Sequence, residues 1–479
     1  MVQLIIIVIY FAITVLIGVW SSKRSKSSDS FHGAGLGVIM CVAAGTGEWL
    51  GGTSTTGVSQ YGWEAGISGA WYTIGNAVGV LVLAIFFAKL YRSLNTVTVP
   101  GIMGHFLGDK ARTLASAMLI VVMIAVGTSQ IIAAGSLGES ILGISFWLSV
   151  VILGICFIIY TIAGGMNAVG STNVLHLIAM YGGVIVALIF LVKQFGGLDQ
   201  LKADLAVVAP DTDFFNMFEI GMPKVSSWII AGVLGALTAQ AGIQPVLAAR
   251  DEKVAVKASF ITAGVVAPFG FLTVFMGMYA RVQFPTLEDL GGASTNALPY
   301  LMMNHMPPVI GGIVLASIFA AILSTISPII LAAGTMFTKD IYQKYINKDA
   351  SDKKVLGVSR ISTAVAGLAC MGLGIAAYGS KVLDIVYLAY TFRGALFIVL
   401  LFGIYWKRAS QKAAIGSMIV TIIVGLIWQL YSMFNDGAWP VADWLTNTYA
   451  VVIATALAMF VFTLIFPRRP EERIDDRSK

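Results

Sequence analysis

Residues 308–336 read PVIGGIVLASIFAAILSTISPIILAAGTM, and this stretch decides the fold class. It carries no charged residue and is longer than the roughly 20 residues that a helix needs to cross the hydrocarbon core of a bilayer. Ser324, Thr325 and Ser327 form a hydroxyl cluster in its middle, directly before Pro328. Hydroxyl and carbonyl oxygens are the ligands that small hard cations prefer. The stretch therefore predicts a transmembrane helix with a cation site at its centre.

The rest of the chain has the composition of a polytopic membrane protein. Of its 479 residues, 58% are hydrophobic and 11% are charged, whereas roughly 25% are charged in an ordinary soluble domain. The apolar windows predict an all-α fold with thirteen transmembrane helices. These windows are residues 3–20, 34–60, 64–88, 113–138, 146–165, 172–193, 225–249, 256–281, 308–336, 356–378, 382–405, 411–434 and 442–466.

The distribution of basic residues predicts the orientation. With the N-terminus outside, 24 of the 30 Lys and Arg residues fall on cytoplasmic segments and five on outer ones, while Arg393 lies inside a span. Cytoplasmic loops carry the excess of positive charge in membrane proteins. We therefore expect a protein of the inner cell membrane with its N-terminus outside, its C-terminus in the cytoplasm and the lipid bilayer as its surroundings.

Two of the predicted spans contain residues that interrupt helices. The second span includes GTGEWLGGTSTTG at 45–57, with Glu48 among glycines and hydroxyls. The seventh mixes glycines with Gln240, Gln244 and Pro245. Unwound backbone at membrane depth survives only where it is buried or lines a cavity; the alternative is a closely packed glycine interface between helices. Because the two spans are five apart, they favour two inverted repeats of five helices, each opening with a broken helix.

Three motifs resemble those of the sodium:solute symporter family. They are Tyr160-Thr-Ile-Ala-Gly-Gly-Met-Asn-Ala-Val169, the run from Ala321 through Ser324 and Thr325 into Phe337-Thr-Lys-Asp-Ile-Tyr342, and Gln240-x-x-x-Gln244 with Ala248-Ala249. The resemblance implies a leucine-transporter-like fold and a Na⁺ site between the second and ninth spans. Its implied ligands are the carbonyls of Val42, Gly45 and Ala321 and the hydroxyls of Ser324 and Thr325.

Departures from the family pattern bear on the number of sodium ions. Members with a second Na⁺ have an Asp where this chain has Asn173 and a hydroxyl where it has Pro328, so Ser327 is left as the remnant of a degenerate second site. A neutral amide cannot offset the charge of a second cation. We therefore expect one Na⁺ per transport cycle.

The solute is expected near the midplane, between the two broken helices and their neighbours. Two hypotheses lead for Arg393, for which reaching either surface is difficult: it binds a substrate carboxylate, or it pairs with Glu48. These two are not exclusive, and a cytoplasmic gate contact is the third alternative. Trp49 and Trp71 either stack on a solute ring or only pack. The candidate solute-binding residues are Glu48, Trp49, Thr53, Trp71, Asn76, Gln240, Gln244, Tyr387 and Arg393.

These features predict a sodium-coupled symporter that imports a small polar organic solute, favoured to be a carboxylate or amino-acid-like compound, by alternating access. The alternatives are a membrane solute sensor with a separate signalling partner, and a symporter for a sugar or other neutral solute. We expect no enzymatic activity and no nucleic-acid partner, and the oligomeric state stays open, with a monomer compatible. The expected divisions of the single domain, 1–479, are an extra helix at 3–20, repeats at 34–193 and 225–405, C-terminal helices at 411–466 and a cytoplasmic tail at 467–479.

Overall fold

The computed structural model describes residues 2–22, 35–435 and 437–469, without the side chains of residues 18–22 and 163–168. The regular secondary structure of these residues is helical, with one isolated β-bridge besides. Ten of its helices are long and apolar enough to cross a membrane. The α-helices are α1 Val2–Ser22, α2 Val38–Trp49, α3 Val58–Ala65, α4 Trp71–Val82, α5 Ala88–Ser93, α6 Val99–Leu107, α7 Asp109–Leu142, α8 Phe146–Phe195, α9 Leu198–Val208, α10 Met222–Ala236, α11 Gln240–Leu247, α12 Glu252–Gln283, α13 Ala297–Asn304, α14 Pro308–Met336, α15 Asp352–Ala376, α16 Val382–Tyr405, α17 Gln411–Phe434 and α18 Asn447–Ile465.

Both predicted interruptions are confirmed. Helix α2 ends at Trp49, Leu50 leaves helical geometry at φ −108° and ψ 74°, and a π-helical turn, Thr53–Gly57, leads into α3. Helix α10 ends at Ala236, and Ala239, at φ −69° and ψ 94°, separates it from α11. Glycine and hydroxyl residues are poor at holding a helix together, so each helix breaks where the sequence concentrates them.

The connection between the fifth and sixth windows is not the separate loop that the sequence predicts, because helical backbone continues from Phe146 to Phe195 with a sharp change of direction. The two halves of α8 lie side by side on the same turn of α14. The rings of Phe157 and Phe319 have centroids 5.6 Å apart, and a Cβ at Gly183 would lie 2.4 Å from the Ser317 hydroxyl. A straight helix would place Phe157 and Gly183 about 39 Å apart. The chain therefore reverses direction within α8, which accounts for both windows.

Helix α14 is the centre of the bundle. In its most apolar window 83% of residues are buried, against 33% for α17 at the periphery. The helical run continues past the predicted end at residue 336, since the π-helical segment Phe337–Ile346 follows directly. Buried Asp340 holds this extension in place by accepting hydrogen bonds from Thr98 at 3.0 Å and Ser116 at 3.0 Å and by pairing with Arg112. The ion pair between Asp340 and Arg112 explains why the helix continues beyond the apolar residues.

Short helices lie in the two long connections of the chain. Helix α9 follows α8, and α13 precedes α14. We call the end of the bundle that carries α9 and α13 the α9 side, and the opposite end, which carries α6, the α6 side. The basic residues at 23–26 and the end of the tail at 470–479 lie outside the described residues.

Candidate functional site

The hydroxyls of α14 face the break between α2 and α3. Thr325 donates hydrogen bonds to the carbonyl oxygens of Gly47 at 2.5 Å and Ala321 at 3.1 Å. Ser324 donates to the carbonyls of Ala321 at 2.8 Å and Leu50 at 3.5 Å. All five residues are buried. Three backbone carbonyls and two hydroxyls thus meet in one place, and oxygen ligands of this kind suit a small hard cation.

Glycine permits this close approach. A Cβ at Gly51 would lie 2.0 Å from the Thr325 hydroxyl oxygen, and one at Gly47 would lie 2.6 Å from the carbonyl oxygen of Ser324. Carbon atoms do not approach oxygen so closely without displacing it. The glycines at 45–57 therefore serve two purposes: they weaken the helix, and they let the unwound backbone touch α14.

A buried amide that the sequence analysis missed caps the broken helix. Gln130 of α7 accepts a hydrogen bond from the backbone N–H of Gly52 at 2.7 Å and donates one to the Thr53 hydroxyl at 2.6 Å. Unpaired backbone donors at this depth cost several kcal/mol, and the Gln130 side chain satisfies one of them. The signal in the sequence was a lone amide inside the apolar run of the fourth window.

Asn173 and Pro328 complement each other. Proline lacks a backbone N–H, so Pro328 leaves the carbonyl of Ser324, four residues earlier, without its usual donor. The Asn173 side chain of α8 donates to that carbonyl at 3.3 Å. The hydroxyl of Ser327 is buried and has no hydrogen-bond partner among the described residues. Both replacements of the family pattern thus fit together as one repair of the helix.

The ionisable residues at the midplane form a buried ion pair. Arg393 Nη1 donates to Glu48 Oε1 at 2.7 Å, and both side chains are 0% exposed. The guanidinium lies 3.7 Å from the ring centroid of Tyr390 and 5.2 Å from that of Trp49, which adds cation–π attraction. The pairing of Arg393 with Glu48, one of the two hypotheses for this residue, is therefore present in the structure. Tyr390, one turn before Arg393, was missed by the sequence analysis.

The ion pair leaves part of the arginine unused. Nε and Nη2 of Arg393 and Oε2 of Glu48 have no hydrogen-bond partner among the described residues. The Nε–Nη2 edge of a guanidinium is one of the forks that hold a carboxylate with two parallel hydrogen bonds. A buried donor pair without partners stands available for an anionic group.

A small cavity lies beside this pair. Its volume is about 10 Å³, and Cys41, Gly45, Trp49, Gly242 and Thr262 are among the residues that line it. That is about the space that a single water needs. This cavity therefore has room for about one water.

The other candidates for solute binding divide into two groups. Tyr387 and Asn76 are buried near the pair: Tyr387 packs edge-on against Tyr390, and the Asn76 amide donates to the carbonyl of Tyr72 at 2.8 Å. Trp71 lies at the α9 side, where its indole donates to the carbonyl of Met217 at 2.7 Å.

The two glutamines of the seventh span have different surroundings. The side-chain oxygen of Gln240 accepts from the backbone N–H of Val99 at 2.7 Å, and its amide donates to the carbonyl of Val97 at 3.2 Å. These bonds tie α11 to the start of α6 and leave little of the side chain for a solute. Gln244 lies one turn further along α11 and is buried.

Comparisons with known proteins decide the family. A sequence profile of the Sodium:solute symporter family matches residues 31–425. The chain belongs to this family. Na⁺ is accordingly its coupling ion, and it is a multi-pass membrane transporter rather than a member of an enzyme family.

Two relatives come from Bacillus subtilis (strain 168). The symporter is 26% identical over 431 residues to the uncharacterized symporter YwcA, covering 87% of this chain and 83% of the relative. It is 25% identical over 482 residues to the high-affinity proline transporter PutP, covering 97% and 98% of the two chains.

Solved structures share the fold of the symporter. A Na⁺-coupled sialic acid symporter, in a substrate-bound outward-open state, superposes with a TM-score of 0.80 at 20% identity, covering 98% of this chain and 99% of the other. MhsT in complex with L-phenylalanine superposes with a TM-score of 0.55 at 13% identity, covering 89% and 98%. These likenesses confirm the leucine-transporter-like fold.

The symporter is closed on the α9 side. Tyr61 of α3 donates to Asp384 at 2.6 Å, and Lys224 donates to the Tyr61 hydroxyl at 2.8 Å. Lys381 pairs with Glu64 at 2.5 Å. These contacts tie the outer half of the first broken helix to the start of α16.

The α6 side is closed as well. The backbone N–H of Leu36 donates to the carbonyl of Ala248 at 2.9 Å, and that of Arg250 donates to the carbonyl of Leu36 at 3.0 Å. Arg92 adds a hydrogen bond to the carbonyl of Ala249 at 2.5 Å. The described residues therefore tie the broken helices down at both ends of the bundle.

Proposed function

We propose that this symporter imports a small polar organic solute that carries a carboxylate, together with one Na⁺ per cycle, by alternating access. The observation that carries the sodium site is the meeting of the Ser324 and Thr325 hydroxyls with backbone carbonyls at the break of the second span. The proposed ligands are the hydroxyls of Ser324 and Thr325, the carbonyl of Ala321 and carbonyls of the broken helix. For the carbonyls of the broken helix, the family resemblance favours Val42 and Gly45, whereas the hydrogen bonds favour Gly47 and Leu50.

The contact of Asn173 supports a single sodium ion. Its amide donates to the carbonyl of Ser324, so it presents N–H groups to α14 where a second cation would need oxygen. At the place of a second sodium site, residues 173, 327 and 328 offer two side-chain oxygens, the Ser327 hydroxyl and the Asn173 amide oxygen. Two neutral oxygens are a poor set for a second Na⁺.

The free edge of Arg393 supports an anionic group on the solute. Nε and Nη2 lack partners while Nη1 holds Glu48, so a carboxylate can bind without first breaking the ion pair. Proline, named for one relative, is a zwitterion with such a carboxylate, which agrees with an amino-acid-like solute. Trp49, Tyr387 and Asn76 are the proposed walls of the site.

The architecture that this mechanism requires is also a proposal. Nine of the ten long helices correspond one to one with predicted windows. The tenth, Thr53–Ser93, turns at Gly66, where φ is +67°, and together with the shorter apolar helices at Val2–Ile17, Val38–Trp49 and Phe146–Ile162 it covers the other four windows, which favours thirteen spans. We propose that residues 34–193 and 225–405 are inverted repeats. The α9 side is outside and the α6 side cytoplasmic, as the basic residues favour.

The driving force limits which solutes can be concentrated strongly. One charge crossing 100 mV is worth about 2.3 kcal/mol, and a tenfold Na⁺ gradient adds about 1.4 kcal/mol. One Na⁺ with a zwitterion can therefore drive accumulation of roughly 500-fold, whereas one Na⁺ with a monoanion moves no net charge and is limited to about tenfold. A zwitterionic solute fits a concentrating importer better.

The sodium site is tested by the thermal stability of the purified protein in NaCl and in choline chloride. A site at 100 times its Kd stabilises the folded state by about 2.7 kcal/mol. We expect this stabilisation, and Na⁺-driven uptake by proteoliposomes, to be lost in Ser324→Ala/Thr325→Ala. The matched control is Ser317→Ala on the same helix, whose buried hydroxyl bonds the carbonyl of Val314 at 2.6 Å; it should respond to Na⁺ as the unmodified protein does.

Two results would contradict the proposal. Unchanged Na⁺ stabilisation in the double variant would place the ion elsewhere. A Hill coefficient for Na⁺ clearly above one, or an uptake current with two positive charges per zwitterion, would rule out a single sodium ion.

A further inference from the structure

An open groove lies on the α6 side, between α5 and the start of α12. Its volume is about 560 Å³, which falls within the range of about 300–1,000 Å³ that small-molecule sites occupy. Its charged lining residues are Lys89 of α5 and Glu252, Lys253 and Lys257 of α12. Three ammonium groups against one carboxylate give the groove a net positive charge at neutral pH.

Apolar side chains continue the groove away from the lysines. Val256, Phe260 and Ile261 of α12 line it, and Phe260 and Ile261 are 45% and 39% exposed. Because side chains three and four residues apart share a face of a helix, Lys253 and Lys257 stand on the same face as these apolar residues. The eighth apolar window begins at residue 256. The lysines therefore lie where the chain enters the membrane, and the apolar part of the groove faces the hydrocarbon core.

The carboxylates of the chain leave these lysines available to another anion. Lys89 Nζ lies 3.9 Å from Glu252 Oε2, and the Lys89 side chain is 78% exposed. Exposed pairs of this kind add little stability, so an anion can take over the lysine at low cost. Among the described residues, the ammonium groups of Lys253 and Lys257 form no ion pair, and both residues are exposed.

A phospholipid with an anionic head group has the chemistry that complements this groove. Lysine side chains keep their stems on apolar surface and reach with their charged ends to the level of the lipid head groups. Lysines clustered beside a transmembrane helix raise the affinity for anionic lipid by about fivefold each. A phosphate at the lysines also leaves an acyl chain positioned along the apolar half of the groove, whereas a soluble phosphate compound has nothing to cover that half.

The groove adjoins contacts that hold the second broken helix. Tyr91, two residues after Lys89 in α5, donates to the carbonyl of Leu237 between α10 and α11 at 3.0 Å. Arg92 donates to the carbonyl of Ala249, just after α11, at 2.5 Å. A lipid that holds α5 against α12 therefore steadies both contacts. Because a ligand that binds only the folded state stabilises it, we expect the bound lipid to raise the thermal stability of the protein.

We infer that the groove between α5 and α12 is a binding site for an anionic phospholipid, whose phosphate meets the three lysines and whose acyl chain covers Phe260 and its apolar neighbours. Glu252 weakens this binding, because its carboxylate lines the same groove and repels the phosphate. The inference does not depend on the transported solute or on Na⁺, since the residues of the central ion pair and the hydroxyls of α14 do not line the groove.

The test is native mass spectrometry of the purified full-length protein in a neutral detergent, which counts the lipids bound to each molecule. Dioleoylphosphatidylglycerol and dioleoylphosphatidylcholine have the same acyl chains, so the ratio of their Kd values for the first bound lipid isolates the charge of the head group. We expect phosphatidylglycerol to bind at least about tenfold more tightly than phosphatidylcholine and to raise the melting temperature. The soluble head group, sn-glycerol 3-phosphate, should do neither at the same concentrations.

Variants locate the lipid in the groove. Lys253→Met/Lys257→Met retains two long side chains without their charge and should raise the Kd for phosphatidylglycerol by roughly 30-fold. The matched control, Lys407→Met/Lys412→Met, removes the same charge from two exposed lysines at the junction of α16 and α17 and should change the Kd by less than about twofold. Glu252→Gln should lower the Kd by about fivefold, a gain in affinity that damage to the fold would not produce.

Three results would overturn the inference. The first is equal binding of the two phospholipids by the unmodified protein, a comparison that needs no variant to fold. The second is a Kd for phosphatidylglycerol that rises by less than about threefold in the double lysine variant, or that rises as much in the control. The third is binding of sn-glycerol 3-phosphate as tight as that of phosphatidylglycerol, which would assign the groove to a soluble phosphate compound. All measurements are made without Na⁺, so a failure of the sodium site does not affect them.

Discussion

Removing one member of the Glu48–Arg393 pair should destabilise the protein far more than removing both. At 2.7 Å, the Coulomb attraction of the two charges is about 6 kcal/mol at an effective dielectric constant of about 20. Much of it offsets the cost of taking both groups out of water. Because both side chains are 0% exposed, Arg393→Gln leaves a buried carboxylate without its partner. Breaking a buried pair in this way costs about 3–5 kcal/mol.

The double variant Glu48→Gln/Arg393→Gln leaves no charge at either position of the pair. Replacement of a buried ion pair by neutral groups of similar size is often close to neutral, so most of the loss should be recovered. The assay is the free energy of unfolding in detergent, measured for the unmodified protein, both single variants and the double variant. We expect a coupling energy of at least about 2 kcal/mol between the two positions.

The matched control is the exposed pair Lys89–Glu252, with N–O separation of 3.9 Å and side chains 78% and 43% exposed. Its removal should change the free energy of unfolding by less than about 1 kcal/mol. If Arg393→Gln costs no more than this control, or if the double variant is no more stable than the single one, the two charges are not an energetic unit.

Three further predictions concern other parts of the molecule. Asn173→Ala should cost about 1–3 kcal/mol in the free energy of unfolding, because the Ser324 carbonyl loses its donor. In a Pro328→Ala background the helix regains its own N–H at residue 328, so Asn173→Ala should then cause no loss. An equal loss in that background would refute this explanation. Asp340→Asn should cost about 3 kcal/mol, since it removes the charge opposite Arg112, and a smaller loss than in Ser116→Ala would contradict this. The backbone N–H of Val254 holds the pKa of Asp251 below its ordinary value of 3.8. A lowered folded-state pKa contributes stability that is present above pH 4 and is lost as the pH falls through the folded-state pKa. The difference in melting temperature between the unmodified protein and Asp251→Asn should therefore shrink in acid, and a constant difference would contradict this prediction.

Much of the fold followed from local sequence. The length of the apolar windows predicted transmembrane helices, because a helix is the way a single segment satisfies its backbone in lipid. The glycines and hydroxyls at 45–57 predicted the break between α2 and α3 for the same local reason. The apolar windows did not predict that helical backbone continues through residues 166–171 and past residue 336. In the second case, contacts of Asp340 with distant helices hold the extension.

The residues of the site were partly visible in the sequence. Hydroxyls at 324 and 325 and charges at 48 and 393 are conspicuous in apolar spans, since polar groups at this depth need a reason. Gln130 and Tyr390 were not conspicuous, because an amide or a tyrosine in a helix says nothing of the partner that it meets. The sequence also did not predict which carbonyls of the broken helix face α14, because this depends on how far the helix unwinds.

The sequence by itself determined that this chain spans a membrane, where its helices break and which family its motifs resemble. These properties depend on composition and on residues close together along the chain. Only the tertiary structure decided that Glu48 takes one nitrogen of Arg393 and leaves an edge free, that Asn173 donates to the carbonyl left without a donor by Pro328, and that Lys224 pairs with Asp384 on the α9 side. Each of these contacts joins residues more than a hundred positions apart, and only the packing of the helices fixes such distances.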